Sequence, residues 1–109
     1  MTKPMTTLAE FKRRAVKGAV VERRFPGEPR RSEERLIVHS QTNAIALLPA
    51  HVLTAEHIAS AEANPQKYAS WLYWPPARLC RFREGELIIL NKEWRPIIAL
   101  RILKDARRA

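Results

Sequence analysis

The sequence predicts an α+β domain that is mainly β, with an N-terminal helix and an inserted short helix. Its core is a small, strongly bent antiparallel sheet or an SH3-like, partly open barrel. Three observations lead there. Six short apolar or alternating runs are separated by turn residues. The 109 residues, 46% of them hydrophobic, suffice for one core and are too few for two. Only two stretches carry helix-capping signals. A flatter antiparallel sheet with both helices on one face fits the same pattern.

Residues 1–6 read as a loose leader. Thr7-Leu8-Ala9-Glu10 then matches a capping box, and Leu8, Phe11 and Ala15 follow at helical spacing. The spacing predicts a helix over 8–17, closed by Gly18 in the left-handed conformation. Ala19 to Phe25 reads as a first strand. Pro26 to Ser32 reads as a loop, because two prolines and a glycine oppose regular pairing. Glu34 to Gln41 is a second strand and Ala44 to Leu48 a third, ended by Pro49. Thr42-Asn43 makes a tight turn or bulge between them, since Asn tolerates positive φ.

Residues 50–69 form a helical insertion, in which Thr54 caps a helix from Ala55 to Ala63 and Asn64-Pro65 stops it. Its apolar face is thin, so it packs on the sheet as an excursion. The aromatic segment Ser70 to Trp74 follows. Alternation then puts Trp71 and Tyr73 on one side and Trp74 on the other. Strands at Ala77 to Phe82, Leu87 to Leu90 and Trp94 to Leu103 make a three-stranded meander, with turns at Arg83–Glu86 and Asn91–Glu93. Residues 104–109 are a basic tail expected to fray.

Twenty Lys and Arg against eleven Asp and Glu give a net charge of +9, which attracts polyanions: nucleic acid, anionic lipid or an acidic protein surface. The excess lies at the two ends of the chain. Residues 1–35 carry ten basic and five acidic residues, 36–75 carry one and two, and 76–109 carry nine and four. Were the first and last strands neighbours, the two basic segments would merge.

No catalytic constellation is legible. One cysteine and three dispersed histidines make no zinc set, and three glycines make no phosphate loop. A Cys80–His nucleophile pair is compatible with the sequence, since such pairs meet only in the fold, and a buried apolar cysteine is the simpler reading. No catalytic residue, metal or cofactor is expected, and the chain reads as a non-enzyme. Its single cysteine and lack of any long apolar run fit a cytoplasmic protein without membrane insertion.

Arg23, Arg24, Arg30 and Arg31 flank the Pro26–Ser32 loop, and Arg78 and Arg81 follow the aromatic segment. Arginine's planar fork suits phosphate and guanine edges, so these six are the candidate nucleic-acid-binding residues. Trp74 is the candidate for stacking on bases. The bland reading of the same residues is a solvated charged face over an aromatic core.

Two segments, Arg35-Leu36-Ile37-Val38-His39-Ser40-Gln41-Thr42-Asn43-Ala44 and Ser70-Trp71-Leu72-Tyr73-Trp74-Pro75-Pro76-Ala77, resemble a family of small phage- and prophage-encoded proteins. That family has an S-W-L-x-W-P-K-A-like segment. The chain departs from it at Thr42, where Ser is usual, at Pro76, where Lys is usual, and in the insertion at 50–69. The resemblance implies phage or prophage origin and no activity. With the charge it gives the expectation of a phage accessory protein that binds nucleic acid. The alternative is a protein-interaction module that inhibits a host or defence complex.

Overall fold

The computed structural model describes residues 7–49 and 54–106, without the side chains of Pro29 and Arg30. In chain order the elements are α1 (Leu8–Arg14), β1 (Val20–Phe25), β2 (Glu28–Gln41), β3 (Ala44–Pro49), α2 (Ala55–Ala63), α3 (Pro65–Tyr68), β4 (Ser70–Tyr73), β5 (Cys80–Arg83), β6 (Glu86–Leu90) and β7 (Pro96–Lys104). The seven strands form one antiparallel sheet in the order β4-β3-β2-β1-β7-β6-β5. The sheet curls into a half-barrel whose edges are β4 and β5. The first and last strands are therefore neighbours, joined from Val20↔Lys104 to Arg24↔Ala99.

The inside of the curl holds the larger core, to which Val21, Ile37, Leu47, Leu87 and Leu100 contribute from five strands. α1 lies against its opening. The Glu10 amide donates to the Thr7 hydroxyl at 3.2 Å, which caps the helix as expected. Phe11 is fully buried and meets Trp74, just after β4, with ring centroids 6.0 Å apart, and Phe82 of β5 at 6.5 Å. One ring thus spans both open edges of the sheet. Burying a side chain of this size stabilises a fold by about 1.5–3 kcal/mol.

A second, smaller cluster lies on the outer face. Val38, Ala46 and Leu48 pack there against Ala61 of α2, with Ile58, Ala69 and Trp71 around them. The inserted helix behaves as expected: Thr54 accepts from the His57 amide at 3.2 Å, and Asn64 ends α2.

Several expectations need correction. α1 ends at Arg14 rather than Lys17, because Ala15 (φ −83°, ψ 67°) leaves the helical region and Ala19 must reach Ile37, whose amide it accepts at 2.9 Å. The expected loop Pro26 to Ser32 is mostly strand. β2 begins at Glu28, and the pairing slips between Arg24↔Ser32 and Phe25↔Glu28, so Pro29 sits in an irregularity that asks nothing of its missing amide. Ser70–Tyr73 is a seventh strand, paired with β3 from Ala44↔Tyr73 to Leu47↔Ser70. Residues 77–79 form a 3-10 turn, so the next strand starts at Cys80.

The last strand begins at Pro96, not Trp94, because the Asn91 side chain holds the amides of Glu93 and Arg95 in a turn. Asn43 does not have positive φ; among the described non-glycine residues only Glu84 (53°) and Trp94 (65°) do. The start of the basic tail is anchored. Asp105 accepts two hydrogen bonds from Arg14, at 2.8 and 3.0 Å, and Ala106 packs on the core. The leader, residues 50–53 and residues 107–109 lie outside the described residues.

Candidate nucleic-acid interface

Successive strand residues face opposite sides of a sheet. The inner face takes Val21, Leu87 and Leu100, so Glu22, Arg24, Glu86, Ile88, Ala99 and Arg101 belong to the outer face, with Arg81 and Arg83 beside them on β5. α2 and its flanking residues cover the outer face over β2, β3 and β4. Among the described residues, no helix covers the outer face over β1, β7, β6 and β5.

Two cross-strand rows mark that bare face. One alternates in charge: Glu22 pairs with Arg101 and Arg83 with Glu86, while Arg101 Nη2 lies 3.9 Å from Glu86 Oε2. The next runs Arg24↔Ala99, Ala99↔Ile88 and Ile88↔Arg81. Arg24 donates from Nε and Nη2 to the two Glu86 oxygens at 2.9 and 2.5 Å. Those hydrogen bonds raise the Arg24 pKa further, so its charge is permanent. Arg81 donates to the carbonyls of Arg78 and Cys80, and its guanidinium lies 5.6 Å from the centre of the Trp94 ring. Trp94 is 55% exposed.

The six predicted arginines do not form one patch. Arg23 and Arg24, adjacent in β1, face opposite sides. Arg23 points inward and donates to Glu33 at 2.8 Å, with its side chain 16% exposed. Arg31 is shared between Glu28 and Glu33 and lies 4.1 Å over the Phe25 ring. The Arg30 side chain lies outside those described. Arg78 and Arg81 are exposed beside each other at the β5 edge. Trp74 is half-buried edge-on to Phe11, which makes it a packing residue and not a free stacking ring.

Carboxylates decide which cations are available. Glu33 accepts from Arg23, Arg35 and Arg31, and its pKa is lowered to about 2 by hydrogen bonds first from Arg23 and then from Arg35. Three of the N-terminal arginines thus share one carboxylate. Among the described residues, Arg78, Arg81, Arg83, Lys92 and Arg95 have no ion-pair partner; the first three lie on β5 or just before it, and Lys92 and Arg95 lie in the turn between β6 and β7. The others without one, Lys12, Arg13, Lys67 and Lys104, are spread over α1, α3 and the end of β7.

Sequence reasoning missed Arg83, Arg101 and Trp94. Alternation in Leu100-Arg101-Ile102 signals that Arg101 faces away from the core, whereas no local signal places Trp94 under Arg81. Of the histidines considered with Cys80, His51 lies outside the described residues. Burial raises the Cys80 thiol pKa, which disfavours a thiolate. His39 packs edge-on to Trp71, and His57 Nδ1 lies 2.6 Å from the Thr54 hydroxyl. Among the described residues no group of His, Cys, Asp and Glu could hold a metal ion, and no helix is long and apolar enough to cross a membrane. No protein-family model, curated protein or solved structure matches the chain.

Proposed function

We propose that this protein binds nucleic acid, without catalysing a reaction, through the outer face of β1, β7, β6 and β5. The observation that supports this reading is the β1–β7 pairing. It brings Arg24 of the first strand and Arg101 of the last onto one face of the sheet, which no helix among the described residues covers. Arg24, Arg81, Arg83 and Arg101 stand there in register, and the unpaired cations at the β5 edge extend the same surface. A sheet face with arginines and an exposed aromatic ring can contact phosphates and stack bases. In this reading the protein is an accessory factor of phage or prophage origin, a point supported only by the resemblance of its two central segments.

The test is binding of labelled single-stranded DNA, duplex DNA and RNA across a range of salt. Affinity should fall with salt, with a logarithmic slope of about 0.7–0.9 per phosphate contacted. If none of the three binds at low salt, the reading is wrong. The second reading, docking on an acidic protein surface to inhibit a host or defence complex, draws on three exposed apolar side chains near the same face: Trp94, Ile97 (43%) and Leu103 (44%). Retention of a defined host complex after nuclease treatment, lost on Trp94→Ala, would favour it.

A further inference from the structure

The bare outer face contains a depression of about 340 Å³, within the size range of small-ligand sites, ~300–1,000 Å³. Its lining is of two kinds. Pro26, Ile88 and Pro96 make an apolar floor, with Ala99 fully buried beneath it, while Arg24, Arg83 and Arg101 supply three guanidinium groups. Glu84 and Glu86 are the carboxylates present. Glu86 is only 5% exposed, and both of its oxygens are taken by Arg24. It therefore acts on Arg24, not on a ligand.

This bond has a consequence for recognition. The Arg24 guanidinium is fixed in its plane by two bonds, yet its side chain remains 40% exposed. A fixed, flat cation beside an apolar floor suits a flat aromatic ring, because arginine stacks on π-faces and loses little freedom when already held. Arg83 has no ion-pair partner among the described residues, and Arg101 reaches Glu86 only at 3.9 Å. These two remain free to turn toward a phosphate.

We propose that this depression receives one unpaired nucleotide of a single strand, its base against Arg24 and the apolar floor at Ile88, above the buried Ala99, and its phosphate between Arg83 and Arg101. The inference rests on the nucleic-acid reading and narrows it to single strands, since a base inside a duplex is stacked and cannot enter. A bare anion would use the guanidinium groups but leave the apolar floor exposed. A nucleoside would do the reverse.

The test follows the Ile88 and Ala99 methyl resonances of the full chain during addition of adenosine 5′-monophosphate, adenosine or inorganic phosphate, with oligonucleotide binding measured in parallel. The expected result is that the monophosphate shifts both methyl signals at concentrations where the other two do not. Arg101→Ala, with an otherwise unchanged spectrum, should weaken this by about tenfold or more, as loss of a charge-assisted contact implies. Single-stranded oligonucleotides should bind more tightly than the duplex of the same sequence. Equal shifts from inorganic phosphate would mean a bare anion site and overturn the proposal. Oligonucleotide binding without methyl shifts, or without preference for the single strand, would remove the pocket and leave the broader reading standing. Failure of every oligonucleotide would remove both.

Discussion

Arg24 and Glu86 lie 62 residues apart in the chain, yet two hydrogen bonds join them across the β1–β7–β6 part of the sheet. The pair ties the first strand to the C-terminal meander and sets the arginine plane on the outer face. Replacing Glu86 with Gln keeps the shape and removes the charge. The expected loss is about 1–3 kcal/mol, toward the lower end because solvent screens the exposed Arg24. Urea denaturation of E86Q against wild type measures it, and an unchanged midpoint would show that the pair adds nothing to stability.

Glu33 gives the fold an acid-sensitive contact. Its pKa is depressed from 4.5 to about 2 by Arg23 and Arg35, so its contribution is fully present above about 4.5. It is lost as pH falls from there through about 2. Glu33→Gln should therefore lower the melting temperature at pH 6 and converge with wild type near pH 2. Parallel melting curves across that window would contradict the assignment.

Phe11 spans the open side of the half-barrel, in contact with Trp74 beyond one edge and Phe82 on the other. Phe11→Ala leaves a cavity between them, and a core deletion of this kind costs about 3–5 kcal/mol. Thermal melting should show this, together with loss of the near-ultraviolet dichroism that a fixed Trp74 contributes.

The turn between β5 and β6 depends on Gly85, which has a φ of 80° next to Glu84 at 53°. Two adjacent positive values are what a two-residue hairpin of this twist requires. Gly85→Ala should cost about 1–2 kcal/mol, the usual left-handed penalty for an L-residue. Chemical denaturation tests it. No loss of stability would mean that the turn relaxes to another form.

Much of the fold was legible in local patterns. The Thr7 and Thr54 caps, the first strand (expected from Ala19, found from Val20) and the β3 run ended by Pro49 all follow from side-chain chemistry that acts over a few residues. The misreadings arose where distant pairing overrides local preference. Pro26 to Ser32 has loop composition, but β1 holds most of it in a strand, and Ser70–Tyr73 becomes a strand only because β3 offers an edge. The site was less legible. Counting charges located the two basic ends, but not that Arg23, Arg31 and Arg35 share Glu33 while Arg81 and Arg83 stay without an ion-pair partner among the described residues. Charge pairing is tertiary, so the emphasis moves from the Pro26–Ser32 segment to the outer face of β5, β6 and β7.

That shift gives the most direct test: the salt dependence of single-stranded oligonucleotide binding for wild type, for Arg81→Glu/Arg83→Glu and for Arg31→Glu. Wild type should bind at low salt and weaken steeply as salt rises. The β5 double variant should lose most of its affinity and flatten the logarithmic slope by at least about 1.4, which is two phosphate contacts at ~0.7 each. Arg31→Glu, whose charge is already shared with Glu28 and Glu33, should bind nearly as wild type does. Absence of binding by wild type, or a larger loss from Arg31→Glu than from the β5 pair, would contradict the proposed interface.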